Sequence, residues 1–259
     1  MGFEIDVGEC LRRGAIGAVG AIPGTLAAHP CDVVKMRQQV SGSGLVGTIR
    51  GIGTIRKAYG GVTAGVGQKI TTRGPMFLIS EVCTQQAQRT LSLSRDTALF
   101  VGSAGSGYMT GMLAASFEWR KVQRGTAALA ASLAASPTLS RRLSVMHGAG
   151  LRNAVFDSTF FGCEHQARHR LGLPATLSYA LAAALAVTFD FPIDVAVKRI
   201  MAAPMGEPPP RGGAPGLMAR LLHERRWLVF AGLGAKACEF ALSYGVTGFA
   251  SSYVRQALS

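Results

Sequence analysis

Charge is scarce in this 259-residue chain: 16% of its residues are Asp, Glu, Lys or Arg, where an ordinary soluble domain has about 25%. Acidic residues are scarcer still, 14 against 27 basic ones, for a net charge of +13. The five cysteines, Cys10, Cys31, Cys83, Cys163 and Cys238, are scattered and odd in number. That excludes a disulfide framework or a paired-thiol motif and leaves them as small buried residues. The start, residues 1–6, is acidic, so neither a secretory signal nor an Arg-rich transit peptide is expected. Asp6 stands where an N-myristoylation pattern wants Ser or Thr. No Ser/His/Asp or Cys/His constellation is legible from spacing, so an enzyme is not expected, and no cofactor or metal is implied. Gly42 to Gly47 matches GxGxxG, but no strand precedes it and no acid follows at the required distance, so it reads as a loop. His165 and His169 beside Glu164 read as a polar helix end rather than a metal pair.

What the chain does have is apolar sequence, 48% of the total, in windows that alternate in character. Gly14 to Pro30, Thr97 to Phe117 and Leu171 to Phe189 hold no Asp, Glu, Lys or Arg. Windows 62–85, 149–167 and 228–252 are apolar but ion-bearing. Each is long enough for a span of about 20 residues, and small-xxx-small spacings such as Gly107 to Gly111 suit close helix packing. Most of the lysines and arginines fall in segments 31–60, 118–148 and 195–226. Such a one-sided bias is the topological signal of a membrane protein and puts both termini on the opposite face. The expectation is therefore an all-α membrane protein of six transmembrane helices. A basic soluble binder is the rival; it would be recovered from cells without detergent.

A related string follows each charge-free window: Pro30-Cys31-Asp32-Val33-Val34-Lys35-Met36-Arg37-Gln38-Gln39, Ser116-Phe117-Glu118-Trp119-Arg120-Lys121-Val122-Gln123, and Pro192-Ile193-Asp194-Val195-Ala196-Val197-Lys198-Arg199. The copies lie roughly 80 residues apart, the mark of a repeat architecture. They give one domain, 1–259, with repeats at 8–92, 93–172 and 173–259. Proline removes a backbone donor and kinks a helix, so three such helices can converge. An acid two residues on and a base five on then place opposite charges where they meet. Pairs between repeats would form only when the helices close, which makes a gate.

This pattern resembles the signature of the mitochondrial carrier family, Pro-x-acid-x-x-base-x-base at the matrix end of each odd helix, over essentially the whole chain. The first copy is complete; the second has Ser116 for proline and Gln123 for the last base; the third has Val197 where the first base belongs. The resemblance implies six transmembrane helices in three pseudosymmetric repeats with short matrix-side helices. It implies a matrix gate of Pro30, Asp32, Lys35, Ser116, Glu118, Lys121, Pro192, Asp194 and Arg199, braced by Gln38 or Gln39. Solute contacts fall on Arg152 and Asn153, on Thr72 and Arg73 with Lys69 one turn away, and on Lys236 and Glu239. A cationic site of this kind suits an anion, since arginine offers a carboxylate two donors. Arginine followed by a neutral polar residue resembles the oxoacid and di/tricarboxylate branch. The opposite, cytoplasmic gate is weak: Gln85, Gln88, Glu164 and Arg168. The implied function is transport, by exchange, of a small anionic metabolite across the mitochondrial inner membrane by a monomer in a bilayer with cardiolipin, without nucleic acid. The alternatives are a carrier-like scaffold that moves nothing, or a carrier of amino acids or nucleotides.

Overall fold

The structure is a computed structural model and describes residues 7–125, 138–203, 207–224, 226–240, 242, 243 and 246. The described chain is helical. Helix α1 spans Val7–Ser41, α2 Leu45–Ile52, α3 Ile55–Ala58, α4 Val62–Leu91, α5 Arg95–Gly125, α6 Leu139–His169, α7 Ala175–Ala202 and α8 Gly213–Glu224. A 3₁₀ turn, Arg226–Phe230, leads into helical residues 233–240.

The expectation of six membrane-crossing helices is corrected here. Among the described residues no helix is long and apolar enough to cross a membrane. Freedom from charge had stood in for apolarity, and the two differ. Gly, Ser and Thr dilute the first two charge-free windows and add little hydropathy, while α1, α4 and α6 also carry ions along their length. The features that rest on membrane crossing, a transmembrane carrier fold above all, fall with it.

Neighbouring long helices pack in sequence order: α1 on α4, α4 on α5, α5 on α6 and α6 on α7. The three string-bearing helices, α1, α5 and α7, also touch one another pairwise. Pro30 and Pro192 lie inside their helices, which continue through them. The main core sits at this meeting point: Val33 and Met36 of α1, Trp119 and Val122 of α5, Val145 and Ala149 of α6, Val197 and Ile200 of α7. All of these but Met36 and Trp119 are small or β-branched, which suits helices brought close together.

Glycine permits that closeness between α5 and α6. A Cβ on Gly111 would collide with the Ala149 carbonyl oxygen, and one on Gly107 would stand 2.5 Å from that of Asn153. Backbone cannot swing aside as a side chain can. Gly111→Ala should therefore cost about 1–3 kcal/mol through forced separation, read as a lower denaturant midpoint at unchanged slope. Gly61, at the turn into α4, has φ 82° and its Cβ would meet the Lys121 carbonyl oxygen at 2.9 Å, so both conformation and space require glycine.

Arg141, on the first turn of α6, has no counterpart among the sequence expectations. It is 1% exposed, donates to the Ile200 and Ala203 carbonyls at the end of α7, and lies over the Trp119 ring at 5.7 Å. The last carbonyls of a helix lack intrahelical donors, and a cation there also meets the negative end of the helix dipole. Arg141→Met should leave those carbonyls unpaired and lose about 3 kcal/mol, measurable by chemical denaturation.

Candidate functional site

Ionised side chains gather where α1, α5 and α7 meet. The cluster comprises the acids Asp32, Glu118, Asp190, Asp194 and Glu239 and the bases Lys35, Lys121, Arg152, Lys198 and Lys236, all buried but Glu239, which is half-buried. Every repeat contributes. Buried charges persist only when paired, and here they pair between repeats. Lys121 Nζ stands 2.8 Å from Asp32 Oδ2. Lys198 Nζ donates to Glu118 Oε1. Asp194 accepts from Arg152 Nη1 at 2.9 Å and from the Gln39 side-chain amide at 2.9 Å. Of the two candidate braces, it is Gln39 that touches the latch; Arg199 in turn donates to the Gln39 backbone carbonyl at 2.8 Å.

The third base, missing at Val197, is supplied one residue later. In the first two strings the base lies three residues after the acid; Lys198 lies four after Asp194, and both spacings return to the same helix face. Val197 points the other way, fully buried in the core. The same four-residue step places Asp190 on this face, one turn before Asp194. The spacing 190, 194, 198 was the signal that could have found both residues.

Lys35 stands 2.9 Å from Asp32 Oδ1, an ion pair without hydrogen-bond geometry, and donates to Glu239 Oε2 at 2.7 Å. Glu239 thus closes on the first repeat rather than on Lys236. Lys236 approaches Asp194 Oδ2 at 3.9 Å and sits over the Phe240 ring at 5.1 Å. Arg152 is the hub. One nitrogen, Nη1, reaches Glu118 at 2.6 Å and Asp194 at 2.9 Å, while Nε and Nη2 reach the Asn153 side-chain oxygen at 3.0 and 2.7 Å. The expected solute contacts Arg152, Lys236 and Glu239 therefore join the charged cluster itself, and Asn153 touches it through Arg152.

On α4, Thr72 donates to the Gln68 carbonyl at 2.8 Å and Lys69 is half-buried; the side chain of Arg73 lies outside the described residues. Ser116 is exposed on the outer side of α5 and lines a groove with Trp119 and Met146, away from the charges. Pro30 and Pro192 are half-buried, and Gln38 is buried. At the other end of the helices, Glu164 accepts from Arg168 of its own helix at 3.1 Å, and Gln85 and Gln88 are half-buried on α4. Asp96 links α5 to α6 there through His165 Nε2 at 2.9 Å.

The site is electrically uneven. Burial pushes the Asp32 and Asp194 carboxyls up, but the cations around them outweigh it, Lys121 foremost at Asp32 and Lys236 at Asp194; both end well below the usual range. Glu118 is likewise drawn down by Arg152 and Lys198 against its burial. Burial pulls Lys198 down to about 8, with Glu118 opposing. Asp190 goes the other way: burial lifts its carboxyl to about 7, with Asp194 adding to the rise and Lys236 and Arg152 resisting it. Its folded value exceeds the unfolded value of about 4. The folded chain then holds a proton that the unfolded chain has lost, so this stabilisation is full below pH 4 and disappears as pH rises through 7. Relative to wild type, Asp190→Asn should gain stability from pH 5 to pH 8, read as denaturant midpoints at each pH. No protein-family model matches the chain, and no curated protein matches it.

Proposed function

We propose that the chain binds a small anionic metabolite of the oxoacid or di/tricarboxylate class at the charged cluster, which opens as the anion enters. The observation behind this reading is the position of Arg152. It bridges acids of two different string-bearing helices, Glu118 of α5 and Asp194 of α7, and is also the residue best suited to a carboxylate. A solute carboxylate that takes the Arg152 guanidinium competes directly with those acids. Winning it loosens α5 from α7, so binding and opening become one event. A ligand shifts such an equilibrium only by its differential affinity for the two states, and Arg152 provides that difference.

The test is a thermal-shift screen of the purified chain against carboxylates, amino acids and nucleotides. A solute that binds one state stabilises it by mass action. Stabilisation by carboxylates, lost in Arg152→Lys, supports the reading. No shift with any member of the panel would favour a scaffold that moves nothing.

A further inference from the structure

Asp190 is the one acid of the cluster that the gate does not use. It is 2% exposed, and its Oδ1 has no hydrogen-bond partner. It sits on the same α7 face as Asp194 and Lys198. Arg152 of α6, Lys236 of the helical segment 233–240 and Lys35 of α1 act on it from the neighbouring elements, and Asp194 from its own. Glu118 of α5 lies beyond Arg152 and is already held by it.

Charge balance gives Asp190 its role. With every group ionised, the five acids and five bases of the cluster cancel among the described residues. An added solute carboxylate then leaves an unbalanced negative charge in a buried site, which is costly. One proton on one acid removes it. The other four acids are each committed to a cation within 3 Å or in direct donor contact. Among the described residues Asp190 alone pairs with none at that range, and its Oδ1, which has no hydrogen-bond partner there, can take a hydrogen.

We propose that Asp190 is a proton-binding site coupled to the anion: one proton from water adds to its carboxylate as a solute carboxylate enters the cluster, and returns to water when the solute leaves. This rests on the solute reading above. No bond other than O–H forms or breaks, and no redox partner is needed. The coupling is reciprocal: protons raise anion affinity, and the anion raises proton affinity at Asp190. A carboxyl lifted to about 7 by burial is poised for this at neutral pH.

Two measurements on the full chain separate this site from the solute reading. The first needs no solute. Infrared difference spectra of wild type should show a protonated-carboxyl band that titrates between pH 5.5 and 8.5 and is missing in Asp190→Asn. A band that does not titrate there, or that survives in the variant, overturns the proposal. The second uses pyruvate, an oxoacid with a single carboxylate, as the probe anion at pH 8, by calorimetry in buffers of different ionisation enthalpy. Uptake of about one proton per bound anion in wild type, and about none in Asp190→Asn, supports the coupling. Equal proton uptake in the two proteins overturns it. A titrating band with no pyruvate binding leaves Asp190 a proton site but overturns its coupling to an oxoacid, and counts against the solute reading.

Discussion

Arg152→Ala should destabilise the chain by about 3–5 kcal/mol, the range for removing one partner of a buried charge network. The loss is large because one guanidinium serves two carboxylates. Glu118 would keep Lys198, and Asp194 would keep Gln39 and the more distant Lys236, but each would lose its contact at 2.6 or 2.9 Å. The Asn153 side-chain oxygen would lose its two donors as well. Arg152→Lys keeps the charge but cannot hold both acids and Asn153 at once, because an ammonium lacks the planar fork. It should recover part of the stability and none of the carboxylate-induced thermal shift. Chemical denaturation gives the first quantity and the solute screen the second. A loss under about 1 kcal/mol for Arg152→Ala, the range of an exposed ion pair, would mean that the bridge is absent.

Lys198→Met should be nearly as damaging, at about 3 kcal/mol, since it strips a fully buried cation from Glu118. The informative comparison is with the register of the string. Moving the base back to the family position, Lys198→Met with Val197→Lys, should not restore stability. Val197 is packed against Gly148, whose added Cβ would meet a Val197 methyl at 2.8 Å, and a lysine there would put an unpaired charge into the apolar core. If the double variant recovers wild-type stability, the cation reaches Glu118 from residue 197, and the third repeat is not offset.

The acids and bases of the first two strings could be read from sequence because each follows a fixed helical spacing, three residues from acid to base, and repeats. Their pairing across repeats was visible only as an implication of the resemblance. Lys198 falls outside the string's fixed spacing, because a helix face tolerates a step of three or four and a motif counted residue by residue does not. Asp190 was hidden by its place just past a charge-free window, where it looked like a boundary. Arg141 had no periodic partner at all: its acceptors are main-chain carbonyls some sixty residues away, and only the fold brings them together. The membrane-spanning expectation failed for a different reason. Absence of charge was legible, but the Gly, Ser and Thr of the first two charge-free windows and the ions along α4 and α6 keep those helices short of the apolarity a membrane span needs.

The central claim is that acids and bases of separate repeats hold α1, α5 and α7 together at one end. A double-mutant cycle on Asp32 and Lys121 tests it most directly, because these residues lie in different repeats and their pair at 2.8 Å joins α1 to α5. Stabilities of wild type, Asp32→Asn, Lys121→Met and the double variant should give a coupling of about 2 kcal/mol or more, as neighbours in a buried network do. Additivity within about 0.5 kcal/mol, as for distant independent sites, would contradict the account.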